Sequence, residues 1–326
     1  MTMEESIQLN NKAVLLQLEG KFEEANGFFL QALTLDPRNA SAHNNLGMLF
    51  TQTGRFGEAL QHFEQALESE PDHATAHLNK ANLHLAKGEM EAAYAHYTST
   101  VRIDPENAGH WEMYAKFFML AGQPEEAAGA WAQALQLKPE ENTYKLELAV
   151  ALSGTGRWED ARMMLGQVLQ REPQNHRAWT QMGILHLMQK NFGIAADHLR
   201  RALGLEPEDE TARYNLALTW LGMEDTARGE EELRRMARLF PANIRARTDW
   251  AVLLLSRSEW NKALDELNAV LEIDPGFAKA VYYRGVALYQ QGLAEEAGAS
   301  LRALETAELP GYSEKARVFL DKFIHQ

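Results

Sequence analysis

The stretch Ala40–His73, ASAHNNLGMLFTQTGRFGEALQHFEQALESEPDH, is restated along the whole chain with a period of 34 residues. Prolines keep the beat: Pro37, Pro71, Pro105, Pro139, Pro173, Pro207, Pro241 and Pro275 follow one another at that spacing, and Pro310 arrives one residue late. A fixed period of this length marks a stacked-repeat chain, in which each unit buries its apolar face against its neighbours. Setting the proline at the thirty-second place of each unit gives nine units, which begin at Ser6, Ala40, Ala74, Ala108, Asn142, His176, Glu210, Ile244 and Ala278.

Other columns agree with this register. The eighth place holds Ala13, Gly47, Ala81, Ala115, Ala149, Gly183, Ala217, Ala251 and Gly285; the twentieth holds Ala25, Ala59, Ala93, Ala127, Ala161, Ala195, Gly229, Ala263 and Ala297. Two small columns on segments with helical apolar spacing predict two helices that cross closely, so each unit reads as a helical hairpin. Glycine at the fifteenth place, for example Gly54, supplies the positive φ that ends the first helix. Lys190, Glu224 and Ser258 stand there instead in units six to eight, which predicts either a local change of superhelical pitch or turns of slightly different geometry. Large apolar residues such as Phe29, Phe63, Tyr97 and Trp131 fill the second helix, and the proline ends it.

On these residues the chain resembles the tetratricopeptide repeat family, whose small, aromatic and proline columns are met by Leu46, Gly47, Phe50, Ala59, Phe63, Ala66 and Pro71. The resemblance covers residues 6–310. It implies an all-α, right-handed α-solenoid of helix-turn-helix units, with first helices lining a concave groove and second helices forming the convex face. The domain expectation is nine tandem units over residues 1–311 (6–39, 40–73, 74–107, 108–141, 142–175, 176–209, 210–243, 244–277 and 278–311), stacked as one continuous solenoid. A capping helix is expected over 312–326, its apolar face made by Ala316, Phe319, Leu320 and Phe323. The first unit has no comparable cap, so Leu9, Val14, Leu15 and Leu18 offer an edge for self-association.

Composition narrows the function. A net charge of −14 argues against nucleic acid as the main partner, because phosphate binding requires a basic stripe. The charge is uneven: residues 1–175 carry net −11 and residues 176–326 net −3. With no cysteine there is no disulfide framework or thiol nucleophile. The start MTMEESIQLN lacks a signal-peptide pattern and no apolar run is long enough to span a membrane, so the expected location is cytoplasmic and no direct membrane insertion is expected. The nucleotide, acyl-transfer and zinc motifs are missing, so the reading is of a non-enzyme with no catalytic residues, no cofactor and no metal. His73, His77 and His84 have ligand-like spacing, but the register assigns His77 and His84 to packing places inside the hairpin.

What varies freely are the second, fifth, sixth, ninth and twelfth places of each first helix, which in the family face the groove. The sixth place includes Asn11, Asn45, Asn79, Asn215, Asp249 and Tyr283, and Asn10, Asn44 and Asn82 extend the polar lining. Each carboxamide offers a donor and an acceptor to a peptide backbone, in a pattern that resembles the asparagine ladder of O-linked N-acetylglucosamine transferase. Farther along the lining turns apolar and aromatic, with Tyr214, Leu221, Leu255, Tyr282 and Tyr289, bordered by Arg177, Arg245 and Lys279. The carboxylate clamp of chaperone adaptors is not met, since no fifth place is lysine and no sixth place is basic. The expected function is a protein-interaction scaffold that holds a protein or peptide partner in the groove to assemble a complex. Alternatives are a self-assembling homo-oligomer joined through the N-terminal edge, or a regulatory region acting with a separate enzyme such as a glycosyltransferase.

Overall fold

Why the chain turns where it does is written in two short motifs that recur in a computed structural model describing residues 3–305 and 311–323. Pro310 lies outside the described residues, as do the ends of the chain at 1–2 and 324–326. The helices come in pairs. The first four are α1 (Met3–Leu18) with α2 (Phe22–Leu35), α3 (Ala40–Gln52) with α4 (Phe56–Ser69), α5 (Ala74–Ala86) with α6 (Met90–Ile103), and α7 (Ala108–Leu120) with α8 (Pro124–Leu137). Then follow α9 (Asn142–Gly154) and α10 (Trp158–Arg171), α11 (His176–Met188) and α12 (Phe192–Leu205), and α13 (Glu210–Gly222) and α14 (Thr226–Leu239). The last are α15 (Ile244–Ser256) with α16 (Trp260–Ile273), α17 (Ala278–Gln290) with α18 (Ala294–Glu305), and a single helix α19 (Tyr312–Phe323). Among the described residues there is no strand, so the fold is an all-α array of helical hairpins. The chain divides into two compact units, residues 1–167 and 168–326, with the division inside α10.

Seven first helices begin where the thirty-fourth-place side chain caps them, while Phe277 before α17 makes no such bond. Asn39, His73, Asn107, Glu141, Asn175, Asp209 and Asn243 each accept a backbone N–H from the first turn that follows, which satisfies one of the donors a helix start leaves open. First helices end in a left-handed residue. In all nine pairs the residue after it donates its N–H to the carbonyl five positions back, as in Arg55 to Phe50 at 2.8 Å and Asp225 to Trp220 at 2.9 Å. Lys190, Glu224 and Ser258 adopt φ of 61, 62 and 60°, the same left-handed region as the glycines. Their turns therefore keep the common form, because hairpin closure and the bond across it dictate φ whatever side chain is present.

The small columns do what close crossing requires. Every alanine of the eighth and twentieth places is fully buried. Between them lies the large residue of the second helix, Phe29, Phe63, Tyr97, Trp131, Leu165, Leu199, Leu233, Leu267 and Leu301, none more than 1% exposed. Where the eighth place is glycine the large side chain leans into the vacated space: a Cβ on Gly47 would stand 2.6 Å from Phe63, and one on Gly183 2.5 Å from Leu199. In residues 168–326, α19 packs Ala316, Phe319 and Leu320 against Leu301, Leu304 and Tyr282 of the last hairpin. At the other end α1 begins at Met3, before the register start at Ser6, and leaves Met3, Ile7, Leu15 and Leu18 exposed while Val14 packs into the core.

Two glycines with the same nominal helix cost are expected to respond oppositely to alanine. Gly47→Ala should destabilise by about 1–3 kcal/mol through collision with the buried Phe63 ring. Gly27→Ala, where nothing lies within 4 Å, should stabilise by about 0.5–1 kcal/mol, both read from urea midpoints. Glu224→Gly should raise stability by about 0.5–1 kcal/mol by relieving a left-handed non-glycine, and an unchanged midpoint would mean that the turn is not strained.

Candidate functional site: carboxamide and tyrosine ladders on the first helices

In residues 1–167 the predicted asparagines come together, but as one connected chain and not as independent hooks. Asn79 Nδ2 donates to Asn44 Oδ1 at 2.8 Å, Asn44 to Asn45 at 3.3 Å, Asn45 to Asn10 at 3.0 Å, and Asn10 to Asn11 at 3.3 Å. Each inter-helix link joins the fifth place of one unit to the sixth place of the next, 35 residues on. Asn10 and Asn44 are largely buried at the base of the ladder, whereas Asn45 and Asn79 are half-buried and Asn11 is exposed. A carboxamide has two donors and two acceptor lone pairs, so each interior member keeps part of its capacity after these bonds. Asn10, Asn11, Asn44 and Asn45 line an open concavity of about 570 Å³ with Val14, Leu15, Ser41, His73 and Thr75, and Asn79 lies outside that lining. Asn82 is not part of it: its Oδ1 takes the hydroxyl of the buried Tyr97 at 2.6 Å.

Residues 168–326 use the same link with different chemistry. Tyr214 Oη donates to Asp249 Oδ2 at 2.7 Å, again from fifth place to sixth place, and Lys279 forms an ion pair with the other oxygen of Asp249. Burial, and then the bond to Asp249, hold the Tyr214 hydroxyl well above its ordinary pKa. Lys279 is thus neutralised within the chain, which removes it from the expected basic border; Arg177 and Arg245 are exposed. Asn215 turns back to the Thr211 carbonyl at 2.8 Å. Tyr282 stacks edge-on against Tyr283, with ring centres 5.3 Å apart, and packs on Tyr312 and Phe319; Tyr289 likewise meets Phe319 and Phe323. The helix α19 therefore covers much of the expected aromatic lining, and Leu255 is buried.

The fourth place carries a function that sequence reasoning assigned only to packing. His43, His77, Trp111, Trp179, Arg213 and Arg247 all direct a ring or guanidinium nitrogen at the proline carbonyl six residues earlier, at 2.6–3.4 Å. The signal was present in the column, because every one of these side chains bears an N–H. The partner nineteen residues on is His62 for His43 and His96 for His77, each at 2.9 Å, and becomes Glu232 for Arg213 and Glu266 for Arg247. The three histidines with ligand-like spacing are spent separately: His73 caps α5, His77 meets His96, and His84 meets Glu89 at 2.5 Å. Among the described residues no group of three or more His, Asp or Glu is arranged to hold a metal ion. No described helix is long and apolar enough to cross a membrane.

These hairpins match two family models. The one described as the cilia and flagella-associated protein 70 C-terminal domain, a tetratricopeptide-repeat model, covers residues 8–215, and the tetratricopeptide repeat model itself covers residues 248–313. The chain belongs to the tetratricopeptide repeat family. No curated protein sequence matches it. Among solved structures, the repeat protein YrrB, described as having an unusual peptide-binding site, is 21% identical with a TM-score of 0.51 over 56% of this chain and 95% of its own. Pseudomonas aeruginosa pilF is 21% identical with a TM-score of 0.54, covering 64% of this chain and 96% of its own. The Cut9–Hcn1 hetero-tetramer of the APC/C gives 18% identity and a TM-score of 0.54 over 86% of this chain and 55% of its own. At such identities the likeness is one of fold.

The histidine pairs make stability pH-dependent. Burial lowers His43, His62 and His77 below the ordinary histidine pKa of 6.5, and lowers His96 to about 4. Between those values the unfolded chain binds more protons than the folded one, so stability is lost as the pH falls below 6.5. The thermal midpoint should drop between pH 7.5 and pH 5, and a His62→Gln/His96→Gln variant should show a shallower drop. Parallel profiles for the two proteins would refute the assignment.

Proposed function

We propose that this chain is a non-enzymatic interaction scaffold of nine tetratricopeptide units with a capping helix from residue 312. It holds an extended segment of a partner protein along its first helices and so assembles a complex. The observation that carries the reading is the connected chain Asn79–Asn44–Asn45–Asn10–Asn11 beside the 570 Å³ concavity. Its internal bonds hold the carboxamides at fixed spacing, and the donors and acceptors that remain suit a peptide main chain whatever its side chains. Preorganisation of this kind lowers the entropy lost when a partner docks. The peptide-binding site in the description of YrrB is in keeping with this reading. Within residues 168–326, Asn215 and Tyr283 stand at sixth places and Arg177 and Arg245 at second places, where the two arginines favour acidic groups on a partner segment.

A second reading rests on Met3, Ile7, Leu15 and Leu18, which stand 48–81% exposed on α1: a second copy of the chain covers this face.

Peptides selected from a displayed random library on the full-length chain should bind the Asn11→Ala/Asn45→Ala/Asn79→Ala variant about tenfold or more weakly, a loss of about 1.4 kcal/mol. Undiminished binding would move the site away from the ladder. For the second reading, sedimentation should be concentration-dependent and should become that of a monomer on Leu15→Glu/Leu18→Glu substitution; a monomer at every concentration refutes it.

A further inference from the structure

Away from the ladder, α6, α7 and α8 enclose a concavity of about 380 Å³ lined by Met90, Tyr94, Phe117, Phe118 and Gln123, with Glu91 and Glu126 at its mouth. Tyr94 is 48% exposed, a large ring left half in water at a place where no other unit carries an aromatic residue. Its ring centre lies 6.2 Å from that of Phe118 at 62° and 6.3 Å from that of Phe117, so the rings form a corner and not a flat wall.

The chain itself shows what fits such a corner. One arrangement occurs in the hairpin of α3 and α4: Arg55, at the sixteenth place, lies 4.1 Å over the ring of Phe50 at the eleventh, and pairs with Glu58 at the nineteenth. Another borders the concavity of about 350 Å³ that follows α8, where Arg157 at the sixteenth place pairs with Asp160 at the nineteenth at 2.8 Å. Arg157 also faces Glu125, at the eighteenth place of the preceding unit, at 3.9 Å. The site at α6–α8 combines what those two sites hold separately, the ring at the eleventh place in the first and the two carboxylates in the second, where the eleventh place is Leu152. Phe118 stands at the eleventh place, Glu126 at the nineteenth and Glu91 at the eighteenth of the preceding unit, but the sixteenth place is Gln123. Two carboxylates and an aromatic face are left without the guanidinium that the chain supplies at the two equivalent positions.

The geometry points to a docking site for an arginine side chain of a partner protein, its guanidinium laid against Tyr94 and Phe118 and bonded to Glu91 and Glu126. A planar cation suits both requirements at once, since guanidinium stacks on rings and bonds carboxylates in its own plane. The net charge of −11 on residues 1–175 draws a basic segment toward this face. None of the site's residues belongs to the asparagine ladder, so this surface and the ladder are independent.

The test uses the full-length chain with ¹³C-methyl methionine, reading the Met90 signal, assigned by its loss in Met90→Leu, during titration with Nα-acetyl-arginine N-methylamide. The expected result is a saturable shift of Met90 that is absent with the uncharged citrulline analogue and weakened about tenfold or more by Glu91→Gln/Glu126→Gln. Gln123→Arg, which supplies the missing guanidinium in cis, should abolish the shift while leaving helicity intact. The Asn11→Ala/Asn45→Ala/Asn79→Ala variant should bind as the parent does, which separates failure of this site from failure of the ladder. An unmoved Met90 signal, equal response to citrulline, or parental binding by Gln123→Arg would each overturn the assignment.

Discussion

The close approach of the two helices in each hairpin is the constraint on which everything else here rests. With alanine or glycine at the eighth and twentieth places, the backbones come near enough for one large side chain of the second helix to fill the space between them, and that side chain is buried in all nine units. The choice of filler is loose, running from leucine to tryptophan, because interior packing asks for matched volume and not for one residue type. The choice of lining is strict. Where the lining is reduced from alanine to glycine, Phe63, Leu199 and Leu301 move in and occupy the difference.

Once the crossing is set, the polar ends of the helices have to be satisfied, and the repeat does this with three devices. The thirty-fourth-place side chain caps the first helix, a backbone bond across the left-handed turn closes its other end, and the fourth-place N–H holds the proline carbonyl of the linker. Buried or half-buried carbonyls and amides left open would cost about 1–3 kcal/mol each, so these bonds are part of the fold and not decoration. They also explain a freedom in the sequence. In six units the linker carbonyl takes its donor from histidine, tryptophan or arginine, so the column is chemically mixed.

The places that neither pack nor cap are where the units differ, and there the same geometry carries different chemistry. The link from fifth place to sixth place of the next unit joins Asn10 to Asn45 and Asn44 to Asn79 near one end, and Tyr214 to Asp249 in residues 168–326. A neutral carboxamide chain keeps residual donors and acceptors, whereas the Tyr214–Asp249–Lys279 set is closed on itself and ties first helices together. The turn region behaves likewise: an arginine stacked on phenylalanine and paired with glutamate completes one hairpin, and glutamine leaves another open to an outside cation.

Period, helix boundaries, turn positions and the identity of the buried columns were all legible in the sequence, because each depends on bonds and contacts within one 34-residue unit that nine copies repeat. Even the three non-glycine turns keep the form of the rest, since local closure outweighs the preference of Lys190, Glu224 or Ser258. What the sequence alone did not determine was which polar side chains remain available. Asn10 and Asn44 share the lettering of Asn11 and Asn45 but are buried, Lys279 is consumed by Asp249, and Tyr282 is covered by α19. Those outcomes depend on partners 30 to 37 residues away on neighbouring units. A column records what a residue is, while only the packed structure decides what is left for it to bind, because hydrogen-bonding capacity and exposed surface are used up by whatever comes nearest in space.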